Sequence, residues 1–590
     1  MLSQICAEFP QGTGYPVCYR WFRITKLGDA IAIAGESPMM LRSKRLLYAA
    51  WLTLICCFAV LHALNLRADF PNSSPWYLDQ AKYTDEGWWA NAAIDAHLYG
   101  NWYPPLDYNP APVVPVLPFL EWVLFFLTGV TIEAARGLAV TFFFANLVLS
   151  YLLLRGRGPR WMALLALTLL ATSPFLYSFS RLAILEPAMI TMTLAALNLA
   201  VRLPRLRFPI LASMAIGLLI TLMMLTKTAA VFLLPALGWA ILLPLWTNRK
   251  RALQCLFTAA GSAAVFFGMW MTLVVSSGML GEFRKFLSAN RNSRPNGFYW
   301  LPHLLDAVIR MAWRVDRILI PLAVAVVLGA VWAWRSARGR KLLLDPVFGA
   351  SILAIAGYIL FMVVHSLVTQ RYFAVIAVFS FLAITQGAGA LLDQTAHGQE
   401  SDSELSQNRP ATPSLARFPL TRWLGWVVIA LCAVSVSING AWTIRYAVHP
   451  EYTFVDAAQA LTQFIDHNPN GRRLLVSVSG DQIALVTHLP TLCAPEAAGC
   501  STFQNPASSL ALYQPGWYAG WNVIDRRTLE ILHAHFSLEQ VASFQAFDRP
   551  DRNVLVLFKL HPLPAGQVRD PATENLDAPL PGDKIDIPVE

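Results

Sequence analysis

Residues 111–129 read APVVPVLPFLEWVLFFLTG. The run is long and apolar enough to be counted as a membrane span. It also holds Pro112, Pro115, Pro118 and Glu121. Proline breaks a helix interior, and a carboxylate is costly at the bilayer centre. Whether this run crosses fixes the side on which every later loop lies. The flanking basic clusters decide it. Arg42, Lys44 and Arg45 precede the apolar run 46–66, and Arg155, Arg157 and Arg160 follow the run 137–154. Lys and Arg gather on the cytoplasmic side of a membrane, so both clusters are inside and an even number of crossings separates them. Runs 46–66, 111–129 and 137–154 compete for those crossings. The weakest is 111–129, which is expected to lie on the outer surface or to re-enter from it.

Composition agrees with a membrane protein. Of 590 residues, 56% are hydrophobic and 14% charged, against about a quarter charged in ordinary globular chains. Further apolar runs occupy 161–178, 184–201, 209–226, 229–246, 252–276, 318–334, 346–368, 372–392 and 423–444. Three more basic clusters are inside: Arg202, Arg205 and Arg207; Arg249, Lys250 and Arg251; Arg335, Arg338, Arg340 and Lys341. The fold class is a polytopic α-helical membrane protein of about 11 spans with a C-terminal soluble α/β domain. The net charge of +9 follows from these clusters, and a nucleic-acid partner is excluded. The expected setting is a bacterial inner membrane, with the N-terminus cytoplasmic and the C-terminal domain periplasmic.

The chain divides accordingly. Residues 1–45 form a cytoplasmic segment, of which 1–38 reads as a disordered extension or a misassigned start before Met39. Residues 46–392 form the transmembrane module, whose first outer loop is 67–136. A polar cytoplasmic linker, 393–421, leads to the last span, 422–444. The domain 445–590 shows a helix at 455–466, a strand at 474–478, a helix at 525–535 and a last strand at 554–560, then a loose Pro- and Asp-rich tail. Cys493 and Cys500 lie seven apart in it and form a disulfide candidate in an oxidising compartment. Among the eight cysteines, the other six fall in spans or in the N-terminal segment. The sequence shows no evident cleavable signal peptide, internal repeat or Gly-rich nucleotide motif.

Chemistry-bearing residues gather on the outer face. The first loop carries Asp85-Glu86 with Trp88, Trp89 and, further on, Tyr108. Aromatic faces stack on sugar rings, and a carboxyl held against apolar rings gains the raised pKa that suits a general base. Interfacial Trp and Tyr also form an ordinary aromatic belt. Glu186 opens the run 184–201, where a helix N-terminus also favours it. Lys227 follows the run 209–226 and either snorkels or binds a phosphate. His365 and Arg371 flank another outer turn, and an Arg can bind phosphate bidentately. Loop 278–317 is outside by parity, yet it carries Arg284, Lys285, Arg291, Arg294, Arg310, Arg314 and Arg317. This is either a local failure of the positive-inside rule or a surface that meets an anion. Acids and cations at one interface fit a reaction whose leaving group is a lipid phosphate.

At these residues the sequence resembles the GT-C superfamily of polyprenyl-phosphate-sugar glycosyltransferases. It is most similar to the dolichyl-phosphate-mannose-type protein mannosyltransferases and the lipid A aminoarabinose transferase. The resemblance spans residues 46–390 through Asp85-Glu86, Gly100-Asn101-Trp102, Arg136, Leu185-Glu186-Pro187, Leu225-Thr226-Lys227 and Arg371-Tyr372. Glu186 stands where relatives often have Asp, and Thr228 where Gly is common. The resemblance implies an outer-face site and inversion at the anomeric carbon. The donor would be a polyprenyl-phosphate-linked sugar and the acceptor an envelope lipid, glycan or protein. Asp85 would be the base. Glu86 and Glu186 would orient the acceptor or hold a metal, and Lys227, Arg371, Arg291 and Arg294 would neutralise the departing phosphate. Some members hold a divalent metal ion on such acids, here Asp85 and Glu186; others do not, and the residues leave both open. A transporter or flippase of lipid-linked saccharides would share the spans and the basic surface. It would be expected to show paired halves with broken helices, which the sequence lacks. A membrane scaffold whose tail binds a partner is a third class.

Overall fold

A computed structural model describes residues 38–77, 79–104, 109–289, 301–365, 368–392, 420–493, 506–521, 526–546 and 554–564. Tyr108, Arg291, Arg294, Cys500, the linker 393–419 and both chain ends lie outside these. The chain divides into two units, Met1–Cys57 and Phe58–Glu590. In the first, the described part is most of the helix Pro38–Ala63. All that follows concerns the second.

Each apolar run read from the sequence is largely helical. Among the described residues, eight helices are long and apolar enough to cross a membrane, or ten if each of two bent pairs is one span. The bent pairs have local causes. Arg160–Thr172 turns by 65° into Pro174–Ser180. Ser173 caps the second piece by accepting from the Leu176 N–H, and Pro174 stands at its first position, where the missing N–H costs nothing. Leu304–Val315 turns by 115° into Leu319–Arg335. There Asp316 accepts the N–H groups of Ile318 and Leu319 at 2.8 and 2.6 Å and holds Asn439 of the last apolar helix at 2.6 Å. Helix Leu185–Ala200 is shorter, at 16 residues.

The run 111–129 becomes a helix only over Val116–Thr128, 13 residues. At 1.5 Å per residue it reaches about 20 Å, against a hydrocarbon core of roughly 30 Å. Its prolines set the start, and Gly129, at φ 74°, closes the end. Glu121 is buried with both carboxylate oxygens unpaired. Burial first, and then the charge of Glu86, push its pKa well above the usual carboxylate range, which favours the protonated form.

The C-terminal domain is a mixed five-stranded sheet in the order β2-β1-β3-β5-β4. Strands β1 (Arg472–Ser477), β2 (Thr491–Cys493) and β3 (Pro515–Trp521) run parallel, and β4 (Phe536–Gln545) and β5 (Val554–Pro562) pair antiparallel. Helix Thr453–His467 packs Phe454, Ala458, Leu461 and Ile465 into the core. The four elements read from sequence are present, with ends displaced by a few residues. Strand β3 was not legible. Its sequence, PGWYAGW, carries turn signals yet is buried along its length. A side chain on Gly516 would overlap the carbonyl oxygens of Asn470 and Arg472, so glycine here marks a close backbone approach rather than a turn. Cys493 ends β2, and its proposed disulfide partner lies outside the described residues.

If Val116–Thr128 does not cross, its two flanks share a compartment. Single cysteines replacing Tyr99 and Glu133 should react with an impermeant maleimide from the same side of sealed vesicles. Labelling from opposite sides would restore 111–129 as a span.

Candidate functional site

Five buried charges meet where four distant segments converge. A 3-10 turn at Gln80–Lys82 follows Asp79 and leads into the helix Asp85–Leu98. Asp85 and Glu86 occupy the first turn of that helix, where its dipole favours acids. Glu186 opens Leu185–Ala200, and Lys227 caps the end of Pro209–Thr226. Arg371 sits in the 3-10 turn Gln370–Tyr372, ahead of Phe373–Leu392.

Arg371 is the hub. Its Nη1 lies 3.1 Å from Asp79 Oδ1 and its Nη2 3.2 Å from Asp85 Oδ2, with Nε 3.9 Å from Glu186. Its backbone N–H also donates to Asp79 Oδ2 at 2.9 Å. Lys227 Nζ donates to Glu186 Oε1 at 2.5 Å and stands 4.5 Å from the centre of the Tyr372 ring. Trp89 donates its indole N–H to Asp85 Oδ2 at 3.2 Å, and Thr84 its hydroxyl to Oδ1 at 3.2 Å. Three carboxylates thus face two cations. Burial pushes the Asp85 carboxyl above its usual range; Arg371 opposes the rise, and Asp79 and Glu186 add to it.

Asp85, Glu186, Lys227 and Arg371, separated by up to 286 positions (371 − 85), come together as the sequence implied. Asp79 was not foreseen, because a lone acid in a loop carries no signal of its own. His365 stands in the aromatic layer next to the cluster. It packs edge-on to Phe361, which also packs on Tyr372. Two residues are corrected. Trp88 does not face the cluster: it donates to the Val478 carbonyl at 3.2 Å and joins the core of the C-terminal domain. Glu86 cannot orient an acceptor or hold a metal, because its oxygens already take four donors. Arg136 supplies Nε at 2.7 Å and Nη2 at 2.6 Å, Ala183 its N–H at 3.0 Å, and Gln482 its amide at 2.8 Å. Arg136 in turn donates Nη1 to the carbonyls of Leu66 and Ala68. The pair ties both ends of the first loop together.

As arranged, these acids do not fit a divalent ion. Asp85 and Glu186 are each paired with a cation, and among the described residues no three His, Cys, Asp or Glu side chains are placed to share one. Removing one member of a buried ion pair strands the other charge, at about 3–5 kcal/mol. Arg136→Met should therefore lower the melting temperature of the purified protein markedly, and Glu86→Gln likewise. Native melting temperatures would mean that the pair does not hold the loop.

No protein-family model matches the sequence, and no curated protein does. Solved structures do match. The crystal structure of ArnT from Cupriavidus metallidurans bound to undecaprenyl phosphate aligns at TM-score 0.55 and 16% identity. The match covers 86% of this chain and 98% of that one. ArnT in the apo state aligns at 0.54 and 14% identity with the same coverage. The oligosaccharyltransferase AglB from Archaeoglobus fulgidus aligns at 0.48 and 13% identity, over 86% of this chain and 75% of that one, too low a score to bear on the fold. The ArnT likeness carries one conclusion: the chain shares the fold of those two structures.

Proposed function

We propose that this protein is an integral-membrane glycosyltransferase that moves a sugar from a polyprenyl-phosphate donor to an envelope acceptor on the outer face of the inner membrane. The observation that carries the reading is the cluster of Lys227 and Arg371 against Glu186 and Asp85. It offers a base with a raised pKa beside two cations suited to an oxyanion.

The chemistry follows from the geometry. The acceptor hydroxyl or amine gives its proton to an Asp85 oxygen as its lone pair attacks the anomeric carbon. The bond from that carbon to the phosphate oxygen breaks, and the electron pair stays on the phosphate. One displacement inverts the anomeric centre. Lys227 and Arg371 neutralise the charge that develops on the leaving oxygen, in a setting where burial makes such interactions stronger than in water. Glu186 holds Lys227 until the phosphate takes its place. Asp79, bonded to the Arg371 backbone and side chain, fixes the direction of the guanidinium.

A lipid-linked donor has further support. An apolar groove of about 320 Å³ is lined by Ile220, Met224, Leu234, Leu237, Leu256 and Phe267, and Met224 lies one helical turn before Lys227. Its lining suits an isoprenoid chain with its phosphate at the lysine. The ArnT structure that shares this fold carries undecaprenyl phosphate. The sugar and the acceptor class are open within the reading: lipid, glycan and protein all present a nucleophile that Asp85 could deprotonate.

Purified protein with a radiolabelled polyprenyl-phosphate sugar and envelope extract should give a labelled product. Asp85→Asn should cut turnover by about 10²–10⁴; near-native turnover at equal membrane expression would remove Asp85 as base. Since only the deprotonated carboxyl accepts a proton, kcat should fall as pH drops through the Asp85 pKa. That pKa is raised, so the acid limb should begin above the pH of an ordinary aspartate, near 3.9. A flat profile down to that pH would contradict the assignment.

A further inference from the structure

The first turn of the Asp85 helix is gripped by the C-terminal domain. Gln482 lies in helix Gly480–Thr487 and is 1% exposed. Both ends of its amide are used. The oxygen accepts the Gly87 N–H at 2.9 Å, and the nitrogen donates to Glu86 Oε2 at 2.8 Å. A side chain on Gly87 would overlap the backbone nitrogen of Gln482 and the carbonyl carbon of Asp481, so the two helices touch backbone to backbone. The residues around Asp85 extend the grip. Tyr83 packs on Trp521 of β3, with ring centres 5.3 Å apart, and Trp88 donates to Val478. Earlier in the same loop, Asp69 accepts the Phe454 N–H at 2.7 Å.

We infer that the C-terminal domain is a positioning part of the catalytic site, with Gln482 as the positioning residue that sets Asp85 against Arg371. The inference rests on the reading of Asp85 as base. On the membrane side, Asp85 is held by hydrogen bonds and an ion pair of ordinary length to Trp89, Thr84 and Arg371, none of which fixes the helix axis. The axis is packed on the membrane side by Ala90, Ala93 and Ile94 against Phe125, Ile132 and Ala135, with Arg136 on Glu86, and its first turn is set from the other side by Gln482 and the Gly87 backbone contact. Gln482 suits this work because one rigid, neutral group bonds a backbone N–H and a carboxylate together. Neither a carboxyl nor an ammonium group in its ordinary charge state can do both. The domain then need not contact the acceptor to be required for turnover.

The test uses the full-length protein in lipid nanodiscs, with Gln482→Ala and Gln482→Glu. Hydrogen exchange should rise in peptides covering 85–98 in Gln482→Ala while β3 and β5 stay protected. Its kcat should fall on the order of 10–100-fold, because a displacement near 1 Å can cost that much, with KM for the donor little changed. In Gln482→Glu the new carboxyl still accepts from Gly87 but repels Glu86. Its kcat relative to the native protein should therefore recover as pH falls and the new carboxyl protonates. Unchanged exchange over 85–98 in Gln482→Ala would overturn the inference, as would raised exchange with native kcat or a pH-independent ratio for Gln482→Glu. Native turnover in Asp85→Asn would instead defeat the base assignment. The exchange readout does not depend on activity, so the two failures are distinguishable.

Discussion

Arg371 is one cation set among Asp79, Asp85 and Glu186, which come from two separate parts of the chain. With Lys227 it must offset three buried acids. A buried charge is tolerated only when it is paired and hydrogen-bonded. That constraint explains why the first loop folds against the helices that carry Glu186 and Lys227, and why the turn before Phe373–Leu392 points inward. It also leaves one negative charge in excess. The excess falls on Asp85, whose carboxyl is raised by burial despite Arg371. At the lysine one anionic partner can be exchanged for another, and the Glu186 carboxylate so freed still lies 3.9 Å from Arg371 Nε. A phosphate that takes Lys227 from Glu186 replaces one anion by another, and a proton taken by Asp85 restores the balance on the acid side.

A second buried pair does different work. Glu86 and Arg136 saturate each other and use their remaining valences on Ala183, Gln482, Leu66 and Ala68. Adjacent acids in one motif therefore have separate fates. Asp85 faces Arg371, while Glu86 is locked between Arg136 and Ala183 of the membrane module and Gln482 of the C-terminal domain. Helix geometry requires this, because neighbours in sequence point about 100° apart around the axis.

Charge bookkeeping on the sequence reached the helix order and the grouping of Asp85, Glu186, Lys227 and Arg371, because the membrane makes the position of every Lys and Arg costly. It reached the exceptional character of 111–129 for the same reason. It did not separate Asp85 from Glu86, since both are acids in one turn and only the tertiary partners distinguish them. It gave Trp88 a surface role because indole rings suit both a membrane interface and a domain core. Strand β3 was hidden by Gly516 and Gly520, which signal turns locally but here permit close packing. Gln482 and Asp79 carry no local pattern at all; their meaning is wholly in what they touch.

The central claim is that Lys227 and Arg371 receive the lipid phosphate. Cryo-electron microscopy of the protein with a polyprenyl phosphate in nanodiscs tests it most directly. The account predicts phosphate density within hydrogen-bonding distance of Lys227 Nζ and the Arg371 guanidinium, with Glu186 displaced from the lysine and the isoprenoid chain along Met224 and Leu237. Phosphate density elsewhere, with the Lys227–Glu186 pair intact, would contradict it.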